Sequence, residues 1–532
     1  MTERSTPDDA ATRAADHDDE APHPDLEDLE APADTSADED GAPAEERRAF
    51  WQGDTPTEPM PIVERLRHTP YRLSRPAEQL PVIDTEEQAA VEAMDFALRL
   101  GELMLRSGAA ASRVEASVIA VGAAAGLRRL DVDITLQSLH MQCVLRGGKT
   151  VTRLRVVQGA RHDFARLDAI HQLVDEIVAH GWDAARAHRQ LRELRTRPRT
   201  WSQDVVLVST GVLVGAVTMM LGAGWVAVLV AAASGMTVHR LTRFLGRHGY
   251  PEFYQMAFGA FVATSIAWIA YALGVNTPVP VSGSDFAFMV AGGIVILLPG
   301  RATAAAVEDV ISGYQVTGAG RILAVILNTS GLTVGVGGAL TATLTLTDLL
   351  GRNFVSPEVL DLRSFVSPGP ATFIGAFILG MSAAINAQAR KRLIVPIGLL
   401  CMTGVAISRL VTETFGLGIT IASGAAAVVI GVVGRLLASR FHSTAMTFLV
   451  PASFGLLPGL AIFRGLYEMV SADASSGPIG ELTVQSGLTT LLGAFATLLA
   501  ISTGTMLGEL LTGPIDHRWS KARWDRRRRR QG

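Results

Sequence analysis

From Val205 onward, apolar runs alternate with short polar breaks, and about ten of them are long and apolar enough to cross or nearly cross a bilayer core of roughly 30 Å. They run approximately Val205–Leu221, Trp225–Val238, Phe253–Leu273, Phe286–Leu298, Ile322–Leu346, Ala371–Ala387, Leu393–Ser408, Ile419–Leu436, Ala445–Ile462 and Leu488–Leu511. Before them the pattern changes. Ala90–Leu105 and Ser112–Leu127 repeat apolar residues at helical spacing across a break at Ser107-Gly108. Asp131–Leu145 and Thr150–Val157 read as strands joined by a hairpin at Gly147-Gly148, and Phe164–His180 and Ala184–Leu194 return to amphipathic helix. The pattern predicts a small α+β domain of order ααββαα over residues 85–200, followed by an α-helical polytopic membrane protein.

The apolar part is written twice. Leu297-Leu298-Pro299-Gly300 returns as Leu456-Leu457-Pro458-Gly459, and Ser234-Gly235-Met236-Thr237-Val238-His239-Arg240-Leu241 is echoed by Thr403-Gly404-Val405-Ala406-Ile407-Ser408-Arg409-Leu410. The spacing drifts only from about 169 to about 159 residues, as loop insertions in an old duplication produce. The expected division is a first five-helix repeat over 201–347, an external loop over 348–370 and a second five-helix repeat over 371–512. Five is odd, so the second copy enters the membrane from the opposite face. That makes the duplication an inverted repeat, a plan common in secondary transporters.

Charge sets the orientation. With the α+β domain inside, the inner loops hold Arg240, Arg243, Arg247, Arg301, Arg321, Arg390, Lys391, Arg392, Arg435 and Arg440, against Arg352, Arg363, Arg409 and Arg464 outside, and basic residues concentrate on the cytoplasmic side. Both termini are then cytoplasmic. Residues 1–84 are rich in Asp, Glu, Ala, Pro and Thr with few large apolar residues, the composition of a disordered acidic tail, and they carry no basic and apolar signal-peptide pattern. Residues 513–532 form a basic tail, with Arg526 to Arg530 at its end, read as a cytoplasmic flank and not as a nucleic-acid arm. At 48% hydrophobic residues and a mean hydropathy of +0.28, the 532-residue chain is too apolar for an ordinary soluble protein. Cys143 and Cys401 fall in different regions and exclude a disulfide framework.

The phrase Arg99-Leu100-Gly101-Glu102-Leu103-Met104-Leu105-Arg106-Ser107-Gly108, continued by Ser112-Arg113-Val114-Glu115 and later by Arg166-Leu167-Asp168-Ala169-Ile170, leads into the ten apolar segments. In this order of parts, over residues 86 to 515, the chain resembles the bacterial threonine/serine exporter family. The resemblance implies a cytosolic N-terminal domain, ten helices in the plasma membrane, and export of L-threonine and L-serine by proton antiport. A related group implies a dicarboxylate such as succinate as the alternative cargo. A non-transporting membrane sensor or scaffold is the alternative of another class, and the inverted duplication argues against it.

Candidate site residues come from physics. Pro299-Gly300 and Pro458-Gly459 break helices at corresponding places, and the exposed backbone ends suit an anionic group or a coupling ion, although a Pro-Gly pair also simply ends a helix at an interface. Asn328 and Thr329 in the fifth segment, and Ser502 and Thr503 in the tenth, offer hydrogen bonds to an ammonium or hydroxyl group, or close helix packing. Asp309 and Glu468 stand nine residues after the two glycines as proton-carrying carboxylates, or as interfacial charges. Arg240 and Arg409 end equivalent helices, with Glu413 four residues on from Arg409 as a pair; both arginines can also snorkel to water. His140 and Cys143, at odd spacing on one strand, point to opposite faces, so no metal site is expected. No phosphate-binding loop or cofactor motif occurs, so the expected protein is not an enzyme and draws on an ion gradient. Its partners are the bilayer, protons and a small solute, with no nucleic acid, and a homo-oligomer is left open.

Overall fold

A computed structural model describes residues 83–157, 163–275, 281–298, 300–349, 369–474 and 484–528. Pro299, the acidic segment to residue 82 and most of the loop expected at 348–370 lie outside the described residues.

The N-terminal layer runs α1 (Ile83–Arg106), α2 (Ala111–Ala124), β1 (Leu130–Thr135), β2 (Ser138–Val144), β3 (Thr150–Val156), α3 (Phe164–His180) and α4 (Ala184–Thr196). Three strands stand where two were expected. The run Asp131–Leu145 folds back on itself at Leu136, whose φ of 51° is the left-handed conformation a tight turn needs, in a residue type that gives no turn signal. The sheet is an antiparallel meander in the order β1-β2-β3, with Asp133 opposite His140 and His140 opposite Leu154. Its period-two alternation is clean: Leu139, Met141 and Cys143 are buried while His140 and Gln142 are exposed. The buried face joins Met94, Phe96, Leu100 and Met104 of α1, Val114 and Val118 of α2, and Leu167, Ile170 and Val174 of α3 in one core.

The apolar part follows as α5 (Gln203–Met220), α6 (Trp225–Arg247), α7 (Glu252–Val275), α8 (Gly283–Val295), α9 (Gly300–Ile311), α10 (Gln315–Leu349), α11 (Pro370–Asn386), α12 (Ile394–Phe415), α13 (Ile419–Phe441), α14 (Met446–Ala452), α15 (Gly459–Ala474) and α16 (Val484–Arg528). Among the described residues seven helices are long and apolar enough to span a membrane, and an eighth span is the pair Met446–Leu456 and Gly459–Gly465, bent by 47°. Gly283–Val295 and Pro370–Asn386 are apolar but shorter. The chain is an α-helical polytopic membrane protein. α16 continues as helix to Arg528, through much of the segment expected as a tail.

Contacts recur in the same order along the chain. α7 lies along α10 as α13 lies along α16, α5 along α6 as α11 along α12, and α9 along α10 as α15 along α16, while α5 and α11 face each other. Glycine makes the two longest of these contacts close. A Cβ on Gly335 of α10 would stand 2.1 Å from the Ala257 carbonyl oxygen of α7, and one on Gly508 of α16 would stand 2.3 Å from that of Val428 in α13. Only a residue without Cβ lets the backbones meet at that distance.

Candidate functional site

The described residues of the two Leu-Leu-Pro-Gly breaks touch each other. Leu457 is extended, with φ −64° and ψ 133°, so the helical ladder stops there and restarts at Gly459. A Cβ on Gly300 would come within 3.0 Å of Leu457, and one on Gly459 within 2.7 Å of Val295, one turn before the other break. Each break therefore uses its glycine to admit a side chain of the other. Pro458 caps the restart, its carbonyl accepting from Ile462 N at 3.0 Å.

A cavity of about 40 Å³ opens beside this crossing, lined by Gly300 and Glu308 of α9, Met446 and Ser453 around α14, Leu457, and Ser502 and Glu509 of α16. A space of this size holds a few waters and no amino acid. The other end is closed by the N-terminal layer. Arg113, in the first turn of α2, donates from Nε to Glu308 Oε1 at 3.1 Å and from Nη2 to Glu509 Oε2 at 2.7 Å. Burial alone would lower the pKa of this guanidinium, but the attraction of Glu509 and Glu308 outweighs it, so Arg113 stays charged. Two residues earlier Ala111 N donates to Asp309 Oδ1 at 3.0 Å, using an amide that the start of α2 leaves unpaired within the helix. Asp309, fully buried, is also paired with Arg321.

A second contact ties the same layer to the other half of the apolar part. Asp168 of α3, 1% exposed, accepts from Ser443 Oγ at 2.6 Å, Thr444 N at 2.7 Å and Thr444 Oγ1 at 2.9 Å, and faces Arg390 at 3.4 Å. Burial raises its pKa, against the pull of the Ser443 and Thr444 hydrogen bonds and the Arg390 charge. The layer thus touches Asp309, Arg390 and Thr444, at or beside helix ends, and Glu509 within α16. Tyr314 completes this contact by donating to Glu115.

The other residues singled out from the sequence fall as follows. Glu468 is buried, pairs with Arg464 at 2.7 Å and accepts from Thr490 Oγ1 at 3.1 Å. It stands at the counterpart position of Asp309, and each of the two carboxylates holds an arginine. Asn328 is half-buried and donates to Glu252 at 2.9 Å, and Thr329 bonds the Val325 carbonyl of its own helix. Neither lines the cavity. Ser502 does, but its neighbour Thr503 is exposed and bonds the Leu499 carbonyl. Neither Arg240 nor Arg409 ends its helix as expected, since α6 runs on to Arg247 and α12 to Phe415; Arg240 is exposed, and Arg409 stands 4.0 Å from the exposed Glu413. Sequence reasoning passed over Arg113, Glu308 and Glu509. Glu509 had a signal, since it is the one charged residue within the apolar run Leu488–Leu511, and an ionisable residue in such a run is a functional candidate by default.

Residues 95–343 match the family model described as "Putative threonine/serine exporter", and residues 372–511 match the model "Threonine/Serine exporter, ThrE". The chain is 30% identical over 424 residues to the "Probable threonine/serine exporter" of Mycobacterium tuberculosis, covering 79% of this chain and 77% of that protein. It is 29% identical over 436 residues to the threonine/serine exporter of Corynebacterium glutamicum, covering 82% and 85%. A more remote relative is the pheromone-regulated membrane protein 10 of Kluyveromyces lactis, 23% identical over 422 residues, which make up 78% of this chain and 42% of that protein. No solved structure matches the chain significantly. With one family model over its N-terminal layer and first helices, the companion model over the remaining helices, and an exporter at 30% identity along most of both lengths, the chain belongs to the threonine/serine exporter family.

Proposed function

We propose that this protein exports L-threonine and L-serine across the bacterial plasma membrane in exchange for protons, through the cavity between the two Leu-Leu-Pro-Gly breaks. One observation carries the reading: a cavity between the two halves is flanked by both breaks and lined by a carboxylate from each half, Glu308 and Glu509. An anionic lining attracts a substrate with an ammonium group and repels a dicarboxylate, which ranks the amino acids first. The first turn of α9, with the positive end of the helix dipole, is the complementary station for the amino acid's carboxylate. Eight residues of helix separate Gly300 from Glu308, about 12 Å at 1.5 Å per residue, so one amino acid visits the two stations in turn.

The recurring contact pattern supports reading 201–347 and 371–512 as inverted five-helix repeats, which can rock about the crossing of the breaks to open either side. The layer of residues 83–196 is then a cytosolic domain, because the helix ends it touches are the ones the basic-residue count puts inside. Asp309 and Glu468, at counterpart positions, are the proton carriers of this scheme.

Counterflow in proteoliposomes tests the reading. Purified protein loaded with unlabelled threonine should accumulate labelled threonine and serine, and should not exchange succinate. Exchange of succinate alone would overturn the substrate assignment. Asp309→Asn and Glu468→Gln should slow export driven by a pH gradient more than they slow counterflow, since exchange does not require a proton to leave. Equal loss in both assays would remove these two residues from the proton path.

A further inference from the structure

The contact of Arg113 with Glu308 and Glu509 goes beyond holding two parts of the chain together. On the reading that the cavity is a transport path, we propose that Arg113 is a tethered cation that latches the path shut on the side of the N-terminal layer, and that the substrate's ammonium group must displace it.

The geometry is that of a clamp. Glu308 sits on α9 of the first half and Glu509 on α16 of the second, and a single guanidinium bridges them at 3.1 and 2.7 Å. Any motion that opens this side must part α9 from α16, and the bridge resists it. Without Arg113 two carboxylates would face each other across the cavity mouth, and their repulsion favours separation. The Ala111–Asp309 hydrogen bond, two residues away on the same first turn, fixes the end of α2 on α9. The latch is therefore delivered by a rigid helix end and not by a loose loop. The cavity behind it has room for a few waters and not for an amino acid, as a closed state requires.

The charges also make the latch displaceable. An ammonium group carries the same charge as the guanidinium and seeks the same oxygens. Glu509 Oε1 is buried and has no hydrogen-bond partner among the described residues, so an acceptor is already open for an incoming N–H donor. A group held in place by its own chain competes at a high effective concentration. Free amino acid must reach a comparable concentration to replace it, so the latch sets a threshold for export.

Accessibility separates this proposal from the transport reading. With Ser502→Cys as a reporter in the cavity, and Cys143 and Cys401 buried, a small charged thiol reagent is applied to each face of membrane vesicles. Arg113→Ala and Arg113→Gln should raise the labelling rate from the face of the N-terminal layer at least about tenfold, and should not raise it from the other face. Arg113→Lys should keep labelling low. Should Arg113→Ala not fold, the double variant Glu308→Gln with Glu509→Gln removes the same attraction and is read in the same way. The swap Arg113→Glu with Glu509→Arg rebuilds a charge bridge and should restore slow labelling. In transport assays Arg113→Ala should lower the internal amino acid concentration at half-maximal export more than it changes the maximal rate. Unchanged labelling in folded Arg113→Ala overturns the latch. Latched accessibility without counterflow of any amino acid keeps the latch and sinks the transport reading.

Discussion

At the scale of single residues, the contact between layer and helices is governed by charges taken out of water. His171 of α3 bonds the Leu167 carbonyl through Nδ1 at 3.2 Å. Burial, and then the neighbouring Arg113 guanidinium, push its pKa down to about 4. The unfolded chain therefore binds a proton near pH 6.5 that the folded one refuses until about pH 4. The stability linked to His171 is complete above pH 6.5 and drains away as pH falls toward 4, by on the order of 3 kcal/mol. Thermal unfolding in detergent should show this loss in the parent and a flatter profile in His171→Gln; parallel profiles would assign the acid sensitivity to other groups. Asp168 acts through the partners it holds. Asp168→Ala strands Arg390 and leaves the donors of Ser443 and Thr444 unanswered, and removal of one partner from a buried ion pair costs about 3 kcal/mol. A lowered unfolding temperature, with faster proteolysis between the layer and the first apolar helix, is the expected result. A variant as resistant as the parent would show that the contact at Arg113 suffices for docking.

At the scale of elements, backbone approach decides what a helix can tolerate. Gly459→Ala puts a methyl where Val295 already lies 2.7 Å away, and overfilling of this kind costs about 1–3 kcal/mol. Gly493 on α16 is exposed with nothing within 4 Å, so Gly493→Ala should be neutral or gain up to about 1 kcal/mol from helix propensity. Unfolding temperatures of the two variants, compared side by side, check the contrast; equal effects would mean that the two breaks do not touch. The elements themselves were largely legible. Apolar runs located most of the long helices, because a bilayer demands uninterrupted apolar stretches, but several helices run 7 to 17 residues beyond the expected ends and the run Ala445–Ile462 is broken at Leu457. The extra strand was not legible: Leu136 and Gln137 carry no turn chemistry, and the register of β1 on β2 is enforced by burial of Ile134 and Leu139 against α1 and α2. The site was half legible. Gly300, Pro458, Gly459 and Ser502 stand out by local pattern and do gather at the cavity or the crossing beside it. Arg113 could not be placed there from sequence, since its partners lie 195 and 396 residues away and nothing local distinguishes it from other arginines on amphipathic helices.

At the scale of the whole molecule, the two halves and the layer pose one mechanical question: which side opens when a break is straightened. The layer covers helix ends on one side only, so the arrangement is asymmetric even though the halves repeat each other's contacts. Cysteine at residue 246 should be labelled from the cytoplasm and cysteine at residue 280, which lies outside the described residues, from the exterior; the reverse pattern would overturn the inverted orientation. Given that orientation, the break after α8 leads toward the layer and the break after α14 leads away from it. Replacing Pro299-Gly300 with Ala-Ala supplies the backbone donor that proline lacks and a better helix former than glycine, and so should stiffen the half-helix that carries Glu308 and Asp309. Replacing Pro458-Gly459 stiffens the half-helix that carries Glu468. Each change should suppress transport, and because the stiffened half-helices run to opposite faces the two variants should favour opposite conformations. Labelling of Ser502→Cys from the two faces is the measurement, at matched membrane abundance. The 299–300 variant and the 458–459 variant should shift it in opposite directions. A shift in the same direction, or full transport in both, would reduce the paired breaks to helix punctuation and leave the charge clamp at Arg113 as the moving part.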